Sequence, residues 1–270
     1  MLSKLLKHEF RATGRIMLPV FLMLLASAGI FNLFLQLSGK YDYVALSVLR
    51  GLFSTIFFVT LIGTAVASFL LMIYRFYKNY MKDEGYLMFT LPVSTAQLIW
   101  SKLIAALVWS VATVLVVLCA IALATLGQSF WADVMPFLRD SWRVITTQVS
   151  AGNLAGFIIE LIAYLILAPL ASYLMIYASI ALGHTSPNHK VLLSVIIYFG
   201  LNTAVQTITS FGSVFGILSV SEGTLADFVP KDPISFIHIV VIATIVLALI
   251  ECVVFYLITH STLKKRLNLQ

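Results

Sequence analysis

The sequence predicts an all-α integral membrane protein with six transmembrane helices, and three observations carry that prediction. Of its 270 residues, 61% are hydrophobic and only 10% are charged. Mean hydropathy is +1.02, far above the range of a soluble domain with an apolar core of its own. The apolar residues gather into six runs, at about 16–37, 51–73, 103–126, 154–182, 191–211 and 234–258. At about 1.5 Å per helical residue, each is long enough to cross a hydrocarbon core of about 30 Å. What remains is too short and scattered to fold as a separate globular unit, so 1–270 is expected to form a single membrane domain.

Ahead of the first run, Leu2, Leu5, Leu6 and Phe10 recur at helical spacing, with Lys4, Lys7 and Arg11 elsewhere on the turn. That pattern predicts an N-terminal amphipathic helix lying on the inner membrane surface; a disordered basic leader is the alternative. The basic start, the apolar stretch from Ile16 and the "ASA" at 26–28 imitate a secretory signal. The apolar run nevertheless continues through "GIFNLFLQL" to Leu37, which predicts a retained first span. With six spans and a cytoplasmic N-terminus, Lys and Arg concentrate in 1–15, 74–102, 183–190 and 259–270, leaving only Lys40, Arg50, Arg139, Arg143 and Lys231 outside. The positive-inside rule therefore predicts that both termini are cytoplasmic.

The run from Val191 to Val220 is too long for one untilted crossing and is punctuated by Gly200, Gly212 and Gly216. It is read as a span over 191–211 followed by a short outer re-entrant helix over about 212–220, against the alternative of one strongly tilted helix. No internal repeat of the kind that marks many secondary transporters is apparent.

Several chemistries find no support. Cys119 and Cys252 both fall inside apolar runs, where they read as small buried hydrophobes rather than a disulfide or zinc framework. The formal charge of +6 gathers at span ends without a basic and aromatic module, so nucleic acid is not expected as a partner. His8 and Glu9 lack the second His of H-E-x-x-H, and His184 and His189 share a loop without nearby Cys, so no metal site is expected. His238 and His260 read as interfacial. Aromatic and Met residues in the spans, such as Phe57, Phe58 and Met72, read as packing or lipid-facing groups. No catalytic residues stand out.

Glu160 and Glu251 are the two carboxylates inside apolar runs, where a charge costs a few kcal/mol and needs a reason. A polar pathway lining or proton site is one reading; a carboxyl packed and hydrogen-bonded between helices is the other. Asn202, Thr203, Gln206 and Thr207 add a polar patch to the fifth run, for which interhelical hydrogen bonding or a cavity are the alternatives.

Between the second and third runs lies "NYMKDEGYLMFTLPVSTAQLIWSK", residues 79–102. Pro92 cannot continue a preceding helix, and Ser94 with Gln97 forms an S-x-x-Q capping box with Val93 and Leu98 at the staple positions. A helix is therefore expected to start at about Thr95, with Lys102 on its second turn extending its ammonium toward lipid phosphate. Upstream, Tyr86, Leu87, Met88, Phe89 and Leu91 form an apolar cluster on the water side, either half sunk in the interface or docked in a partner.

Glu84, Gly85, Leu87, Leu91, Pro92, Val93, Ser94, Leu98, Ser101 and Lys102 resemble the first cytoplasmic loop of type-2 ATP-binding-cassette exporter permeases, in which an E-G-x-L…L-P-x-S segment leads into a helix carrying a Lys. The motif spans a short part of the chain; the similar order of elements extends over all of it. The resemblance implies a bacterial plasma-membrane permease that pairs with a second permease, identical or related, on two separate ATPase subunits that bind ATP and Mg. Asp83, Glu84, Gly85, Tyr86, Leu87, Phe89, Leu91 and Pro92 would then form the ATPase contact, and "GHTSPNHK" at 183–190 a second, smaller one. The chain contains no G-x-x-x-x-G-K-[ST], so neither a cofactor nor enzymatic activity of its own is expected. A stand-alone secondary transporter or channel, and a non-transporting membrane scaffold, are the alternatives. The sequence does not choose a substrate.

Overall fold

In hydrocarbon a backbone N–H or C=O finds no water, so a spanning segment must satisfy these groups internally, and a helix does so. The computed structural model describes residues 2–81, 93–186, 188–221 and 232–265. Its elements are α1 (Leu2–Lys40), α2 (Val44–Met81), α3 (Thr95–Ala124), α4 (Phe130–Gln148), α5 (Ala151–Gly183), α6 (Lys190–Ser221) and α7 (Pro233–Lys265). Among the described residues there is no strand. Six of the helices, all but α4, are long and apolar enough to cross a membrane, which is the architecture of a multi-pass membrane protein.

Three features differ from the sequence expectations. α1 is one helix of 39 residues, so the amphipathic start is its first turns rather than a separate element. Gly14 does not break it, because the face left open by the missing side chain is filled by the Trp109 ring. α6 is likewise continuous from Lys190 to Ser221, in place of a span followed by a distinct short helix. A helical glycine costs only about 1 kcal/mol against alanine, whereas a break exposes several backbone groups at once. The third feature is α4, which the six-run reading left as an outer loop. Four charges and Pro136 break its hydropathy, yet its apolar residues keep helical period.

The chain divides into two compact units, one of Met1–Arg75 with Trp100–Thr147, the other of Phe76–Ile99 with Gln148–Gln270. In the first, Leu24 and Ala28 of α1, Phe57 of α2, and Ala120 and Ala124 of α3 form the buried core. Small residues at the contacts let helix backbones approach where no aqueous hydrophobic effect pushes them together. Ser27 Oγ meets Thr60 Oγ1 at 2.8 Å, Phe31 stacks on Phe57, and the Asn32 amide donates to the carbonyls of Ala124 at 3.0 Å and Leu126 at 2.8 Å. Those carbonyls lie at the end of α3, where intrahelical partners run out.

In the second unit α5 packs along α6 and α7. Its last residue, Gly183, sits so close to α6 that a Cβ would fall 2.6 Å from the Ser194 backbone. Cys252 of α7 points its thiol at the Leu167 carbonyl of α5 at 3.6 Å, and Cys119, expected to be buried, is exposed on the surface of α3.

Replacing Asn32 with Ala is expected to lower stability in detergent by about 1 kcal/mol, since it takes the Asn32 donor from the Ala124 carbonyl and leaves the Leu126 carbonyl with Gln36 alone. Chemical denaturation followed by tryptophan fluorescence checks this.

Candidate functional site

A carboxylate on an apolar stripe needs a cation, and Glu9 lies on the stripe of Leu2, Leu5, Leu6 and Thr13. Its partners come from two other helices of the same unit. One carboxylate oxygen accepts from Lys102 Nζ of α3, and the other accepts from the Arg75 guanidinium of α2 at 3.2 Å. Lys102 is 3% exposed and Glu9 5%. One turn on, Thr13 Oγ1 donates to the Glu9 carbonyl at 2.7 Å and accepts from Trp109 Nε1 at 2.7 Å.

This corrects the placement of Lys102, which turns inward rather than toward lipid phosphate. A buried carboxylate in contact offers it a stronger field than a hydrated headgroup. Glu9 itself was considered only as half of a metalloprotease motif. The signal that would have found it is its position on the apolar stripe, with Lys102 the charge close to the start of the third run.

Arg75 and Lys102 lie on either side of residues 82–92 in the chain, on the helices α2 and α3 that adjoin that segment. The helix ends next to that segment belong to the second unit and are anchored there. Phe76 stacks on Tyr177 of α5, ring centroids 3.8 Å apart, and Tyr80 Oη donates to the Leu98 carbonyl at 2.9 Å. The cap expected at Ser94 is present: its Oγ accepts from the Gln97 N–H at 3.3 Å, and its carbonyl from the Leu98 N–H at 3.2 Å. Asp83, Glu84, Gly85, Tyr86, Leu87, Phe89, Leu91 and Pro92 lie outside the described residues.

The 183–190 corner meets the same helix end, with the His184 ring edge-on to Tyr77 at 5.5 Å. His184 closes α5, its backbone N–H and its ring Nδ1 both donating to the Ile180 carbonyl. Burial pushes its pKa below the ordinary 6.5; the hydrogen bond to Ile180 opposes that shift and the charge of Lys190 adds to it.

Of the polar groups expected inside the spans, Glu160 acquires a defined partner. Its Oε1 lies 2.7 Å from Nδ1 of His238 on α7, a partner that the reading of His238 as interfacial did not supply. Phe157 stacks on the imidazole at 3.8 Å, and Gly156 leaves room for it, since a Cβ there would meet His238 Cε1 at 3.0 Å. Asn202 and Gln206 bond to each other along α6 at 3.4 Å, and Glu251 is half-buried on α7. No bond among the described residues joins them to the Glu160 pair, and no group of three or more metal-ligating side chains occurs among those residues. No protein family, curated protein or solved structure matches the chain.

Lys102→Met is expected to cost about 3 kcal/mol by leaving the buried Glu9 carboxylate with Arg75 as its one remaining cation, and adding Glu9→Gln is expected to cost less than the two single changes together. Denaturant unfolding of the two single variants and the double variant tests the coupling. His184 supplies a pH dependence. Because its folded pKa is depressed, its contribution is complete above about pH 6.5 and is lost as pH falls through the lower folded value. Melting temperature should therefore fall from neutral toward acidic pH, with a smaller slope in His184→Gln.

Proposed function

We propose that the chain is a permease subunit of a type-2 ATP-binding-cassette exporter, moving its substrate out of the cytoplasm by alternating access. The observation that carries this reading is the E-G-x-L…L-P-x-S motif of residues 84–94, which lies between two helix ends held by buried contacts. A push on a loosely held loop is dissipated locally. A push between Phe76–Tyr80 and Leu98–Lys102 is delivered to the aromatic contacts at one remove and to the Glu9 ion cluster a few residues further along the same helices.

In this reading two partner ATPase subunits bind ATP and Mg, close, and press on residues 83–92, with 183–190 as the smaller contact. A second permease, identical or related, completes the pathway, and transport follows the difference in substrate affinity between inward-open and outward-open states. Both termini are cytoplasmic, the first turns of α1 form a collar at the inner face of the plasma membrane, and ATP is hydrolysed on the partner chain.

Co-expression with a candidate ATPase, such as the product of a neighbouring reading frame, tests the reading. The expected result is a co-purifying complex with ATPase activity, weakened in assembly or coupling by Glu84→Ala or Phe89→Ala. Unchanged assembly and coupling in both variants overturns the assignment of the loop.

The Glu160–His238 pair favours a second reading, a stand-alone secondary transporter. That reading requires transport by the purified chain alone in vesicles, driven by an ion or proton gradient and lost in Glu160→Gln.

A further inference from the structure

Among the described residues α4 is the one helix not long and apolar enough to span, and its large apolar and charged residues fall on opposite sides of its axis. At 100° per residue, Phe130, Val134, Phe137, Leu138, Val144 and Ile145 fall on one half of the circumference, with Trp131 and Trp142 along one edge of that half. Arg139, Arg143, Asp140 and Asp133 occupy the other half. No residue of α4 is buried, and Phe137, Leu138 and Trp142 are each more than half exposed. An apolar face of this size in water is costly, so something covers it.

The connections at either end indicate what does. α4 follows α3 after residues 125–129 and precedes α5 by residues 149–150. Fully extended, these links reach about 17 Å and about 7 Å. The first link is not extended: Gly127, at φ +77°, turns it back, and Asn32 and Gln36 of α1 donate to its Leu126 carbonyl. A helix of 19 residues is about 28 Å long, and the two short links tie its ends to the ends of two apolar spans. Exposed apolar residues run along the chain from the span into α4: Leu118 and Ile121 of α3, Leu126 of the link and Phe130 of α4.

We infer that α4 is a lipid-binding surface, its apolar half immersed in the interface of the leaflet at the Ala124 end of α3. Trp142, 58% exposed, sits at headgroup level, the position its part-apolar ring favours, and Arg139 and Arg143 lie beyond it within reach of phosphate. Asp133 and Asp140 balance the two arginines, and Asp140 lies 3.8 Å from Arg143. Attachment is therefore driven by apolar and aromatic area and does not require anionic lipid.

The test uses the full chain with Cys119 and Cys252 replaced by Ser, spin-labelled at Leu138→Cys or Asp140→Cys, and reconstituted in vesicles of neutral phosphatidylcholine or of phosphatidylcholine with phosphatidylglycerol. The label at 138 is expected to collide several-fold more with lipid-soluble oxygen than the label at 140. Collisions with an aqueous nickel chelate should show the reverse order, and both patterns should match in the two vesicle types. Ile145→Cys, on the same face as Leu138, serves if the first substitution fails to fold. Free access of the chelate to 138 or 145 would mean the face stands in water. Protection there from both reagents would mean that a second copy or another protein covers it. Immersion confined to the anionic vesicles would mean that charge holds it. Each of these results overturns the inference.

Discussion

The Glu9 carboxylate is the constraint on which the first unit depends. It is a single anion held by an ammonium and a guanidinium from two different helices, in surroundings where an unpaired charge is worth several kcal/mol against folding. Apolar packing between helices in lipid is forgiving of rotation and sliding, because lipid tails and leucine side chains are nearly equivalent neighbours. Two oriented bonds to one carboxylate are not forgiving. They fix the register of α1, α2 and α3 at one level, and the Asn32 amide fixes α1 against α3 at another.

The second unit is ordered by different means. Aromatic stacking of Phe76 on Tyr177 and the Gly183–Ser194 close approach set α5 against its neighbours by shape, while Glu160–His238 adds one polar pair between α5 and α7. α2 and α3 contribute residues to both units, and the chain passes between the units on either side of residues 76–99. Along the chain, residues 82–92 thus fall between the two places where a helix changes unit.

Much of this fold is legible in sequence because the solvent is simple. A run of about 20 apolar residues has one stable outcome in a bilayer, and Pro92 with Ser94 announces the start of α3 through chemistry local to a single turn. The features that escape depend on pairs far apart in sequence or on a weak period. Glu9 and Lys102 are each unremarkable alone, and only their proximity distinguishes a buried ion pair from a snorkelling lysine. His238 reads as interfacial until Glu160 is opposite it. α4 is hidden by its own amphipathicity, since the charges on one face cancel the hydropathy of the other, and α6 hides its continuity behind glycines that a helix in lipid tolerates. The motif at 84–94 is legible only as a resemblance, because nothing in helix chemistry states what an apolar cluster on the water side should touch.

The long reach of the α1 contacts also bears on how the protein is made. Glu9 finds Arg75 66 residues later and Lys102 93 residues later, and Asn32 meets Ala124 across 92. A ribosome delivers α1 before α2 and α3, so this helix enters the bilayer with a carboxylate whose cations, and an amide donor whose acceptor carbonyls, do not yet exist. It is retained by its apolar residues alone and acquires its final register only once α3 has been synthesised. The three helices are threaded in order, but they mature together.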